Sequence, residues 1–197
     1  MIPKILHRVV PAEVPDVFED YWARWKALHP GWGYATWQDP LEPAEWQLSH
    51  LWGRCTAGAQ LAGLVRLEVI YRCGGVYVDM DMEPLRAIDG LLDAKCFIGT
   101  EDGVILTDAM FGAVPHHPAI GACIDRLANG YWSPNPSDTG PRLVTEMLRG
   151  RSDVTVLPKD TFYPYTWEEP QRAAETFDDS YAVHRWNHSW KHWEAQP

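Results

Sequence analysis

Carboxylates recur at every second position in "GGVYVDMDMEP", residues 74–84, as Asp79, Asp81 and Glu83. If the run is a β-strand, its side chains alternate between faces. Asp79 and Asp81 then project together, Glu83 joins them as far as the strand persists, and Met80 and Met82 face the other way. Carboxylate oxygens grouped like this suit a hard divalent cation such as Mg2+ or Mn2+, which can bridge them to substrate phosphates. They also suit sugar hydroxyls, or form an acidic rim with no ligand. The bare pattern is weak: with 15 aspartates in 197 residues, about one D-x-D is expected by chance. Its position adds weight. Ligands of open α/β sheets bind outside the carboxyl ends of the strands, and this pair follows the apolar "VYV".

The elements that must position these carboxylates can be read from periodicity. "KILHRVV" reads as a first strand closed by Pro11, and the segment from Asp16 to Leu28 has helical apolar spacing with Asp16 as N-cap and Pro30-Gly31 beyond its end. "GYATW" is a second strand. A long helix is expected from Thr56 to Cys73, with a wide apolar face and Gly74 at the C′ position. Strand, helix, strand, helix, strand is the order of an α/β fold with a largely parallel sheet. Further on, "KCFIGT", "AMFGAV" and "DVTVLP" read as strands, "PAIGACIDRLANG" and "GPRLVTEMLRG" as helices. The tail "YAVHRWNHSWKHW" reads as a short strand followed by an aromatic, histidine-rich wall.

Composition narrows the partners. A formal charge of −10 without a basic run argues against nucleic acid and anionic membranes; an anionic substrate needs local compensation, for instance by a metal ion. Cys55, Cys73, Cys96 and Cys123 form no C-x-x-C pair and are expected as buried, reduced thiols. No apolar run approaches the ~20 residues that span a bilayer, so the expectation is a soluble cytoplasmic protein, with any peripheral membrane association made through partners. Eleven tryptophans suit either a core or flat sugar-binding faces.

"IPKILHRVV", "WQDP", "LVRLEVIYRCGGVYVDMDM" and the closing "HRWNHSW" together resemble the DXD-containing glycosyltransferases of family 32, related to the mannosyltransferase Och1 and to capsular-polysaccharide sugar transferases. "PHHP", "GPRLVT" and "FYP" fall between them in the expected order. The resemblance implies the GT-A fold, a Rossmann-like α/β/α sandwich with a mostly parallel sheet, as one domain over 1–197. Its nucleotide-binding half would run to about residue 85, and the acceptor and closing half from about 86. It further implies hexosyl transfer from a UDP- or GDP-sugar to the hydroxyl of a glycan or small acceptor, with retention and with Mn2+ or Mg2+ as cofactor.

Carried onto single residues, the resemblance makes Asp79 and Asp81 metal ligands, with Asp79 also meeting donor hydroxyls. His184, with His188 as rival, completes the metal set. Arg66 reaches the donor, His7 and Trp37 stand on the donor side, and Ser189 and Trp190 close over the diphosphate. Core packing is the alternative role for Trp37. Asp108, where the family often has asparagine, is a donor contact or, with Glu101 and Asp102, a candidate nucleophile. One departure stands out: the family acid three residues before the arginine is replaced by Gly63. The rival readings are a non-catalytic glycan-binding relative and a Mg2+-dependent nucleotidyl- or phosphotransferase. The latter should carry a glycine-rich phosphate loop, and the sequence has no such motif.

Overall fold

A computed structural model describes residues 1–187 of the chain. Its elements are β1 (Ile5–Val10), α1 (Asp16–Leu28), β2 (Gly33–Gln38), α2 (Gly58–Cys73), β3 (Gly75–Val78), β4 (Met82–Pro84), β5 (Cys96–Thr100), β6 (Leu106–Ala113), α3 (Pro118–Ala128), α4 (Pro136–Thr139), α5 (Pro141–Leu148), β7 (Thr155–Leu157) and β8 (Ala182–His184). Six strands form one sheet in the order β2-β1-β3-β6-β5-β7, and β4 pairs with β8 apart from it. Within the large sheet β1 is parallel to β2 and β3, β5 is parallel to β7, and β6 alone runs against both its neighbours. The sheet is thus mostly parallel, with helices on both faces, which is the GT-A arrangement.

The two faces are filled by different side chains of the same strands. Tyr77, Ile98 and Phe111 pack with Leu64, Leu67 and Ile70 of α2 and with α3 and α5. Val76, Val78 and Met110 pack with Trp22 and Trp25 of α1 on the other side. Alternation along β3 therefore puts Tyr77 on the α2 face and its neighbours on the α1 face. α2 is buried almost all round through its middle, because Trp46 packs on Val65 and Val69 from outside. Two charges sit within that buried stretch, and both are paired. Glu68 accepts from the backbone N–H groups of Gln47 and Leu48 at 2.8 and 2.7 Å and from Arg72 at 2.8 Å. Arg66 faces the site.

The double glycine makes the passage from α2 into β3 possible. Gly74 and Gly75 have φ of 63° and 98°, a region side chains rarely enter. A Cβ on Gly75 would lie 2.6 Å from the Ile5 carbonyl oxygen, and one on Gly74 would lie 2.6 Å from Pro115. Helix end and central strand are joined with no room for anything larger.

Some expectations need correction. Asp16 does not cap α1: Pro15 holds that position, and no side-chain cap bond forms. All four cysteines are free, but Cys73 is exposed while the other three are buried. Among the described residues, no helix is long and apolar enough to cross a membrane.

Candidate metal and donor site

β3 ends one residue before the first carboxylate. The N–H of Asp79 still bonds to the Ala109 carbonyl at 2.7 Å, and then Met82 N turns back onto the Asp79 carbonyl at 3.1 Å. Asp79 and Asp81 are therefore brought together by a turn across residues 79–82 and not by the pleat of a continuing strand. That difference redirects their neighbours. Met80 lines the same cavity as the two aspartates, whereas Met82 is buried in the α1-side core. Glu83, on β4, leaves the group altogether: it binds Arg24 Nη1 at 2.6 Å and Arg185 Nε at 2.6 Å. It is a strut between α1, β4 and the segment after β8.

Arg66 organises the α2 side. Its Nη2 lies 3.0 Å from Asp79 Oδ1, its Nη1 lies 3.5 Å from Asp108 Oδ2 and donates to the Asp108 carbonyl at 2.7 Å, and its guanidinium stacks 4.6 Å over the Tyr77 ring. The Tyr77 hydroxyl donates to Asp79 Oδ1 at 2.6 Å. Burial pushes the Asp79 carboxyl up to about 6, against the pull of Arg66. Burial alone would lower the Arg66 pKa, but Asp79, Tyr77 and Asp108 outweigh it and keep the guanidinium charged. Tyr77 was not singled out from the sequence. The signal was present, since it stands two residues before Asp79 on the same face of the strand.

On the other side, the antiparallel pairing of β4 with β8 sets Met82 opposite His184 and so brings the imidazole to the turn. His184 Nε2 lies 3.2 Å from Asp81 Oδ1, and Asp81 Oδ2 accepts from Asn187 N at 3.2 Å. Burial opposes charge on both groups, yet each shifts toward its charged form: Asp81 is lowered chiefly by His184, and His184 is raised chiefly by Asp81. His184 Nδ1 is buried and has no hydrogen-bond partner among the described residues. One ligand atom each from Asp79, Asp81 and His184 lie within 4.8 Å of one another. Two carboxylates and an imidazole, one of whose ring nitrogens is unsatisfied, form a donor set that fits Mn2+ or Mg2+.

These groups stand in the wall of a cavity of about 720 Å³. One side is built by Val9–Pro11, Asp39, Leu41 and the first two turns of α2. The other is built by Glu101, Ile105, residues 107–109 and 135–137, Gly140–Arg142, Trp167 and Trp186. Arg66, Asp79, Asp81, Glu101, Asp108 and His184 all line it. Asp102 does not: its carboxylate accepts from Val104 N and Ile105 N at 2.7 and 2.6 Å, closing its own exposed loop. Burial raises the Glu101 carboxyl, and Thr107 Oγ1 donates to it at 3.3 Å. At Gly63 an added Cβ would meet no atom within 4 Å, so open space stands where the family acid is missing. His188, Ser189 and Trp190 lie outside the described residues.

His7 and Trp37 do not line the cavity. His7 is buried, with Nε2 3.0 Å from the Gly74 carbonyl and Nδ1 accepting from Trp37 Nε1 at 3.3 Å. The Trp37 ring stacks on His7 and meets Trp46 edge-on. Both imidazole nitrogens are used by the neutral ring, whose pKa burial pushes down to about 4. Protonation therefore favours the unfolded chain, where histidine titrates near 6.5. The stability from this group is full above pH 6.5 and is lost as pH falls toward about 4, a change of roughly 3 kcal/mol. Urea midpoints across that window are expected to fall with pH, and His7→Gln to flatten the slope. His29 and His117, also lowered by burial, keep their share in the variant.

Two family models match successive parts of the chain: residues 15–98 match the glycosyltransferase sugar-binding region containing the DXD motif, and residues 112–197 match the alpha 1,4-glycosyltransferase conserved region. Among curated relatives, human alpha-1,4-N-acetylglucosaminyltransferase is 31% identical over 62% of this chain and 41% of its own length. Inositol phosphoceramide mannosyltransferase 2 of Schizosaccharomyces pombe is 27% identical over 99% of this chain and 60% of its length. Gorilla lactosylceramide 4-alpha-galactosyltransferase is 25% identical over 64% and 44%. The chain thus spans 41–60% of the length of these relatives. Among solved structures, the PaToxG glycosyltransferase superposes with a TM-score of 0.63 at 14% identity, over 75% of this chain and 69% of its own. A glycosyltransferase involved in glycosylating the major capsid of PBCV-1 gives 0.54 at 12% identity, over 91% and 94%. At those identities the likeness is one of fold.

Proposed function

We propose that this chain, which belongs to the DXD-motif glycosyltransferases, moves a hexosyl group from a nucleoside diphosphate sugar to an acceptor hydroxyl. The observation that carries this reading is the meeting of Asp79, Asp81 and His184 at the carboxyl end of β3, in a cavity that Arg66 also lines, 3.0 Å from Asp79. Mn2+ or Mg2+ held by those three side chains would supply the positive charge that neutralises a leaving diphosphate.

The chain's own residues do the rest. Arg66 and the Tyr77 hydroxyl fix the Asp79 carboxylate from behind, so its outward edge stays available to donor hydroxyls. We assign the nucleotide to the half of the chain up to about residue 85, beside Val10, Leu41 and Ala62, and the acceptor to the wall formed by later residues. UDP and GDP both suit the reading. The relatives' names cover N-acetylglucosamine, mannose and galactose, so the transferred hexose is left open. Two of those names carry an α linkage, which from an α-linked donor is retention, and we infer retention here. A double displacement would run through Asp108 or Glu101, the two candidate nucleophiles that line the cavity. A same-face route, with the leaving phosphate taking the acceptor proton, uses neither.

Thermal shift tests the reading. With UDP, GDP and their common sugars, one nucleotide should stabilise the native chain in the presence of Mn2+ by roughly 2.7 kcal/mol at 100 times its Kd. The Asp79→Ala/Asp81→Ala variant should show no shift. If every nucleotide leaves the native chain unmoved at millimolar concentration, the glycan-binding alternative replaces the transferase.

A further inference from the structure

Most of the large aromatic side chains among the described residues are covered, but Trp167 is 55% exposed, and it lines the same cavity as the metal-site residues. Its backbone is nonetheless tightly held for a loop position. Glu169 N donates to the Thr166 carbonyl at 2.9 Å, and Thr166 N donates back to Glu169 Oε2 at 3.0 Å, closing a turn around Trp167. Lys159 and Arg172 each stand 3.6 Å from the Glu169 carboxylate and brace it. An indole left in solvent on a braced turn, at the edge of a reaction cavity, is a surface prepared for a ligand with an apolar face.

The polar groups on the cavity wall say which ligand. Glu101 lines the cavity with a carboxyl group that accepts hydrogen bonds, and Asn135, Ser137 and Arg142 also line it. Ile105, Pro136 and Pro141 on the same wall would also take an acyl chain, but that chain would leave these polar groups unmatched, whereas a pyranose matches both kinds of surface. Its C–H face packs on an aromatic plane, and its hydroxyls, directed outward around the ring, donate to a carboxylate and exchange bonds with amide and hydroxyl groups.

We propose that Trp167 is the platform on which a pyranose ring of the acceptor stacks, with Glu101 accepting from that sugar's hydroxyls, so that the acceptor is a saccharide. The proposal rests on the transferase reading of the adjoining site and names its second substrate.

Saturation-transfer difference NMR with lactose, mannobiose and chitobiose at millimolar concentration, on the native chain, Trp167→Ala and Trp167→Phe, is the test. At least one disaccharide should show enhanced ring C–H signals. Its Kd should rise about tenfold in Trp167→Ala and only a few-fold in Trp167→Phe, which keeps an aromatic plane. Glu101→Gln should weaken the same sugar by a separate, smaller factor. Trp167 is exposed, so matching melting points will establish that the variants are folded. The proposal is overturned if no disaccharide binds, or if binding survives Trp167→Ala unchanged. The nucleotide thermal shift separates the two readings. Nucleotide binding without any saccharide signal sinks the platform and leaves the transferase. A Trp167-dependent saccharide signal without nucleotide binding keeps the platform and sinks the transferase.

Discussion

Arg66→Met is expected to lower the unfolding free energy by about 3–5 kcal/mol and to remove all nucleotide-dependent stabilisation. The side chain is 5% exposed and is the cation facing both Asp79 and Asp108. Methionine would fill much of its volume, so the loss measures charge and hydrogen bonding more than packing. Without the guanidinium, two carboxylates face each other across a partly buried space, the Asp108 carbonyl loses its donor, and the Tyr77 ring loses its stacked cation. Breaking a buried pair by removing one member costs far more than the pair's net contribution, because the other charge is stranded. Arg66→Lys should recover only part of the loss, since an ammonium cannot reach Asp79 and the Asp108 carbonyl together as the planar fork does. Urea midpoints for the three chains check the stability, and thermal shift with nucleotide and Mn2+ checks the site. A loss under about 1 kcal/mol would mean that water replaces the guanidinium and that the cluster is wetter than its burial implies.

The fold was legible wherever a local rule decided it. The spacing of Leu61, Leu64, Val65 and Leu67 marked α2, Gly74 marked its end, and the strand–helix alternation marked a mostly parallel sheet. The reversed direction of β6 was not legible, because direction depends on which strand pairs with which, and alternation of apolar residues is the same either way. The carboxylate pair was located by a correct residue pattern through an incorrect geometry. Period-two alternation holds only while the ladder lasts, and the ladder ends with the Asp79 N–H. From there a turn places Asp79, Met80 and Asp81 on one cavity and sends Glu83 to Arg24 and Arg185. His184 shows the opposite case: it stands 103 positions after Asp81 in the chain, no local pattern connects them, and only the resemblance of the tail suggested the meeting. The resemblance puts His7 and Trp37 on the donor side, but neither lines the cavity, and the His7 ring is used by Trp37 and the Gly74 carbonyl. Trp167 carries no sequence signal at all, since exposure is what distinguishes it from the eight other tryptophans among the described residues.

Asp81→Asn is expected to abolish metal-dependent nucleotide binding and to reduce any transfer rate by about a thousandfold, the equivalent of roughly 4 kcal/mol of lost charge stabilisation. The folded chain should tolerate the change. Asparagine is nearly the size of aspartate, its carbonyl oxygen can still accept from Asn187 N, and the Asp81 main-chain carbonyl keeps its bond from Arg185 N. What is lost is the charge beside His184, and an amide is a poor ligand for a hard cation compared with a carboxylate. Asp81→Ala removes the tether as well as the charge, so it should lose the same binding and, in addition, about 1–2 kcal/mol of stability. The comparison separates two roles that the geometry combines in one side chain: a donor to the cation, and the post on which residues 184–187 are fastened. Calorimetric titration of Mn2+ into the native chain and both variants, followed by urea melts without metal, reads the two roles independently. If Asp81→Asn binds Mn2+ as the native chain does, the cation is held elsewhere, and Asp81 serves only to anchor the segment that carries His184.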